Sequence, residues 1–172
     1  MTPILMLFYL SAAIAVIASI KVITRTNTVH ALLYLVVSLL AVAVCFYLMG
    51  APFAAGLEVI VYAGAILVLF VFAIMMFGLR QDELKYAPQS IGKLTWLGPF
   101  VLALILLVEL IWVFSDAGIM LQLKPAIVPS KEVGKLLFSE YLLVVELASF
   151  LLLAGLIAGF HFARPDGVGG LK

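Results

Sequence analysis

Apolar residues run along this chain in five long blocks, at residues 3–20, 29–49, 53–79, 96–114 and 137–162. A helix rises 1.5 Å per residue, so about 20 apolar residues cross a hydrocarbon core of about 30 Å. Each block therefore predicts a membrane-spanning helix. Together they predict an all-α membrane protein with five transmembrane helices in one integral membrane domain, residues 1–172. The first block lacks the basic start of a signal peptide, since Met1, Thr2 and Pro3 precede it, and is expected to remain as a span.

The polar punctuation between blocks sets the connections. Asn27 or Thr28 can cap the second helix, and Gly50, Ala51 and Pro52 form an uncharged turn before the third. Residues 80–95 are the most polar stretch and predict a loop in water. Residues 115–136 mix Gly118, Pro125, Pro129 and Gly134 with charges and aliphatics, which predicts a loop lying along the surface. The Gly-rich tail after residue 162 is expected to be flexible.

Basic residues stay on the cytoplasmic side of short loops. An outside N-terminus puts Lys21, Arg25, Arg80, Lys85, Lys93, Arg164 and Lys172 inside, against Lys124, Lys131 and Lys135 outside. The expected orientation is thus N-terminus outside and C-terminus cytoplasmic, with 80–95 a cytoplasmic loop and 115–136 an outer one.

That orientation turns three acids into a pattern. From the outer ends of helices three, four and five, Glu58, Glu109 and Glu146 lie roughly 8, 9 and 13 Å deep at 1.5 Å per residue. A carboxylate in hydrocarbon costs a few kcal/mol and needs a partner or a water-filled path, so a layer of them is what a proton or cation path requires. The competing reading pairs each acid with a Lys or Tyr of a neighbouring chain. Glu140 lies near the outer surface and is expected to be solvated. Tyr62, four residues after Glu58, can hydrogen-bond that carboxylate or a water, or be an ordinary packed tyrosine. Gly64 is the weak point for regular helical geometry in its span. It either admits close approach of another helix or allows a change of hydrogen-bond pattern such as a π-bulge.

With 172 residues, 66% hydrophobic and 11% charged, the chain has too little polar surface for a soluble globule, and none to spare for a separate soluble domain. A net charge of +1 provides no basic face for nucleic acid. Cys45 lies in an apolar run as a small hydrophobe, His30 is expected at the interface or satisfying a backbone group, and His161 and Arg164 read as anchors at the cytoplasmic surface. The sequence shows no phosphate loop, no Cys/His ligand spacing and no Ser/His/Asp set, so no catalytic site, cofactor site or metal site of its own is expected.

Three stretches carry a family resemblance: residues 26–35, residues 55–76 with the run Glu58-Val59-Ile60-Val61-Tyr62-Ala63-Gly64, and residues 137–153 with Glu146-Leu147-Ala148-Ser149. In these the chain resembles the J chains of bacterial proton-pumping NADH-quinone oxidoreductase, respiratory complex I, whose mitochondrial counterpart is subunit six. The resemblance implies a non-redox membrane-arm subunit of the bacterial inner membrane. Its partners would be the quinone module, a small K-type chain, antiporter-like chains and lipid. FMN, iron-sulfur clusters, NADH and quinone would belong to the rest of the complex.

The resemblance also implies a π-bulge near Tyr62, Ala63 and Gly64, followed by Ala65 to Val68, whose rotation gates a water wire past Glu58 and Tyr62. Glu146 matches as well, although a proline often precedes its motif in the family and Val145 stands here. Glu109 matches no family motif. The alternative is a subunit of a cation/proton antiporter or membrane-bound hydrogenase, which would share the carboxylates without an NADH-dependent partner.

Overall fold

A computed structural model describes residues 3–76, 94–115 and 127–163. Every element among them is a helix: α1 (Pro3–Thr24), α2 (Thr28–Leu48), α3, α4 (Leu94–Ser115), α5 (Ser130–Phe138) and α6 (Leu142–Ala163). The third runs from Pro52 to Met76 in three pieces, α-helical over Pro52–Leu57, π-helical over Glu58–Ile66 and α-helical again over Leu67–Met76. Five of the six are long and apolar enough to cross a membrane. Packing gathers the chain into two compact units, Met1–Val128 and Pro129–Lys172.

The first unit is built on the α1–α2 hairpin. Asn27 ends the connection by accepting the amides of Val29 and His30 on its side-chain oxygen, at 3.0 and 3.3 Å. Small residues then let the two backbones approach. Ser19 and Ser38 hydroxyls lie 2.8 Å apart, Ser38 also donates to the Ala15 carbonyl at 3.2 Å, and Ala18 and Ala41 are fully buried. One cluster joins Ile14, Ala18, Tyr34, Val37, Ala41 and Leu106 of α4; a second joins Leu7, Val44, Leu48 and Val113 of α4. Hence α4 closes a three-helix frame. Within it a Cβ on Gly98 would collide with the Tyr34 hydroxyl, so only glycine lets that buried ring lie against α4.

After α2 the chain turns at Gly50, whose φ of 81° lies in the left-handed region that a side chain disfavours. Pro52 opens α3 at its first turn, where no amide partner is needed. This helix packs against α2 through Pro52–Leu57 and the π-helical segment. Ala55, Glu58 and Leu67 are buried, and most of the span Pro52–Ile74 is not.

Several expected bounds move. The first helix continues past residue 20 to Thr24, whose hydroxyl bonds back to the Ile20 carbonyl at 2.9 Å, because polarity alone does not end a helix. The fourth begins at Leu94 rather than Trp96. The loop expected over residues 115–136 contains the start of α5, and the fifth span begins at Leu142, not at residue 137. Pro129 directly precedes α5, Glu132 lies in its first turn and Lys135 in its last, each suited to that end of the helix dipole. Residues 77–93, 116–126 and 164–172, and with them most of both expected loops, the tail and the end of the third span, lie outside the described residues.

Replacing Gly98 by Ala should destabilise the frame by about 1–3 kcal/mol through overpacking. Adding Tyr34→Phe, which leaves the ring edge 3.2 Å from the new Cβ, should recover part of the loss. Thermal midpoints of the detergent-solubilised tagged protein check this, and equal midpoints for G98A and the parent would refute it.

Candidate functional site

The expected carboxylates divide by environment. Glu109 is 2% exposed, on the face of α4 that also carries Leu106 and Val113. Opposite it, Ser11 lies on the α1 face that carries Leu7 and Ile14, and is wholly buried. The Ser11 hydroxyl donates to Glu109 Oε1 at 2.6 Å. Oε2 is buried and has no hydrogen-bond partner among the described residues. A short O–H···O bond of this length is at the strong end of the range, yet one hydroxyl satisfies only one of two oxygens. The pair sits between the two apolar clusters of the frame, where water does not compete for it.

Glu58 opens the π-helical segment and is 9% exposed on the α3 face turned to α2. Tyr62 is 52% exposed, and among the described residues no hydrogen bond joins its hydroxyl to that carboxyl. Glu146 lies in the second unit on α6, a helix none of whose span is buried, and its side chain is exposed. Glu140 sits in the exposed turn between α5 and α6. Thus Glu58 and Glu109 are both buried against helices of the first unit, and Glu146 projects from another.

The π segment is defined by bonds that reach back five residues, as where the Leu67 amide donates to the Tyr62 carbonyl. Its consequence is rotational. In a regular α-helix the nine steps from Glu58 to Leu67 make about two and a half turns, which would put the two on opposite faces. Here both are buried, at 9% and 6% exposure, and the wider turn rotates everything after Ile66 relative to a continuous α-helix. Gly64 fits this form. A Cβ there would lie 3.2 Å from the Val59 carbonyl, five residues back, a contact tight enough that the neighbour must yield.

Two features had little signal in the sequence. Ser11 is one hydroxyl in an apolar run, and only knowledge of α4's register would match it to Glu109. His30, expected at the interface or satisfying a backbone group, is 4% exposed and edge-on to Trp96 with centroids 5.6 Å apart, and among the described residues neither ring nitrogen has a hydrogen-bond partner. Cys45 is partly buried and free. Among the described residues no three His, Cys, Asp or Glu side chains converge as metal ligands would.

Residues 18–162 match the model of the family described as NADH-ubiquinone/plastoquinone oxidoreductase chain 6. The chain is 50% identical over 159 residues to the NADH-quinone oxidoreductase subunit J of Pseudomonas aeruginosa, covering 92% of this chain and 96% of that one. It is 47% identical over 165 residues to the subunit J of Escherichia coli K12, covering 94% and 88%. With the subunit J of Buchnera aphidicola from Schizaphis graminum it shares 43% identity over 160 residues, 91% of this chain and 96% of that one.

Removing the only donor to a buried carboxyl costs the desolvation of that group, about 1–3 kcal/mol, whereas replacing both partners by apolar groups is nearly neutral. Ser11→Ala should therefore lower the thermal midpoint of the solubilised protein, and S11A combined with Glu109→Leu should lower it less. A double variant less stable than S11A alone would contradict the pairing.

Proposed function

This chain belongs to the NADH-ubiquinone/plastoquinone oxidoreductase chain 6 family, and from that premise we propose that it couples quinone reduction to proton pumping as a membrane-arm subunit, with α3 as the gate. The proposed assembly lies in the bacterial inner membrane, with the N-terminus of this chain outside. Quinone-module, K-type and antiporter-like chains surround it. FMN, the iron-sulfur clusters and the NADH and quinone sites belong to those other chains, and this one contributes no catalytic site. An antiporter or hydrogenase subunit is not favoured, since the relatives named above are subunits of NADH-quinone oxidoreductase.

The observation that carries the gate is the π-helical segment Glu58–Ile66 set between two α-helical pieces, with Glu58 and Leu67 buried at its two ends. Conversion of residues 58–66 to α-helix would rotate the following half of α3. Leu67 would leave its buried position, and Val68 and its neighbours, now exposed, would move relative to the path. Glu58, on the near side of the segment, would stay where it is. One geometry leaves a path past Glu58, Tyr62, Ala63 and Ala65 open to water and the other closes it. Every backbone group keeps an intrahelical partner in both, so the two states can differ by only a few kcal/mol, which quinone chemistry elsewhere in the assembly can supply.

Proton-carrying roles are also proposed for Glu109 in the first unit and, separately, for Glu146 in the second. Glu109 holds its place through Ser11. Glu146, exposed on α6, requires groups from neighbouring chains to complete its surroundings. In an inner-membrane span an acid facing lipid would be costly, so its partners are protein or water.

A side chain at position 64 presses on the Val59 carbonyl in the π form and so biases α3 toward the α form. Gly64→Ala should reduce proton pumping and quinone reduction partially, and Gly64→Val severely, while NADH oxidation by an artificial acceptor continues. Inverted membrane vesicles measure all three rates. Full coupled activity in G64V would sink the gate.

A further inference from the structure

The short helix α5 has no part in the gate, and the span on its C-terminal side sets its surroundings. Wound at 100° per residue, Lys131, Lys135 and Glu132 fall within about 100° of its circumference, and Leu136, Val133 and Leu137 within about 100° on the other side. Leu136 and Leu137 are 47% and 37% exposed. A nine-residue helix of this kind has too little apolar surface to span anything, and too much to lie free in water.

Its depth is fixed by α6. The span Leu142–Phe162 has 21 residues, about 31 Å of helix at 1.5 Å per residue, which matches a hydrocarbon core of about 30 Å and puts Leu142 at its boundary. Only Ser139, Glu140 and Tyr141 separate α5 from that point, a reach of at most about 10 Å. The connection is also folded tight. The Tyr141 amide donates to the Leu136 carbonyl at 3.1 Å, and the Ser139 hydroxyl to the Lys135 carbonyl at 2.7 Å. The helix is thus tied to the membrane boundary and does not swing out into water.

We propose that α5 is an interfacial helix that binds the lipid headgroup layer, with Val133, Leu136 and Leu137 set among the upper acyl chains and Lys131 and Lys135 reaching headgroup phosphates. Lysines suit this position because their long apolar stems lie along the acyl boundary while the ammonium reaches the phosphate. Anchored in this way, α5 fixes the height of the adjoining end of α6, and with it the depth of Glu146, one turn inside that span.

The test uses the assembled complex in native membranes carrying a photoreactive benzoylphenylalanine in place of Leu137 or, separately, of Glu132. On illumination Leu137→benzoylphenylalanine should give lipid adducts, detected by mass spectrometry of the labelled peptide, several-fold more abundant than those from the position-132 variant. Val133→benzoylphenylalanine, on the same face, should repeat the result if the position-137 variant fails to assemble. Crosslinking from both apolar positions to another protein subunit, or equal lipid labelling at position 132, overturns the proposal.

Discussion

Inside hydrocarbon a backbone amide or carbonyl can bond only to its own helix or to a packed neighbour, and that constraint governs how the third span departs from regularity. A break in the helix would strand several polar groups at several kcal/mol each. Widening the turn strands none, because each amide passes to the carbonyl one residue further back, as Leu67 does to Tyr62. A π-helical segment is therefore the form in which a lipid-embedded helix can change its rotation. Gly64 lies where the wider turn leaves the Val59 carbonyl too close for a side chain to sit comfortably.

Polar side chains obey the same rule and thereby separate a cross-bonded part of the first unit from the part in which the gate is proposed. Ser11 satisfies Glu109, Ser19 and Ser38 satisfy each other, and Tyr34 fills the space beside Gly98. These contacts tie α1, α2 and α4 together at several levels, and a shift of one helix would leave an acid or hydroxyl unpaired. Among the described residues no side-chain hydrogen bond ties the third span to another helix, and it meets α2 through Pro52–Leu57 and the π-helical segment. Exchange of the buried Leu67 for another aliphatic would leave no polar group orphaned.

How much of this could be read from the residues depends on whether the signal was local. The five spans and the Asn27 cap are set by neighbours in sequence and were legible. The helix α5 was hidden because Gly134 and the charges around it read as a loop, although Lys131, Glu132 and Lys135 at helical spacing leave one apolar face. Glu109 stood out as an acid in a span, but its partner did not, since Ser11 is 98 residues away and the match depends on the relative register of two apolar helices. The length of the π segment was equally out of reach. Glycine marks where a helix can yield, not how far the altered pattern spreads.

Uniform hydrophobicity, which makes lipid-facing and protein-facing sides hard to tell apart in sequence, would also make the proposed rotation of the third span feasible. Residues 65–76 are all apolar, so rotating that half would exchange one apolar face for another and change the transfer free energy little. An amphipathic helix like α5 could not do this, because its lysines would be driven into hydrocarbon. The one charge of the third span, Glu58, stands before the segment that changes. In the proposed gate it would remain against α2 while the part beyond it turns, so the acid assigned to the proton path and the residues that would admit water to it could move independently.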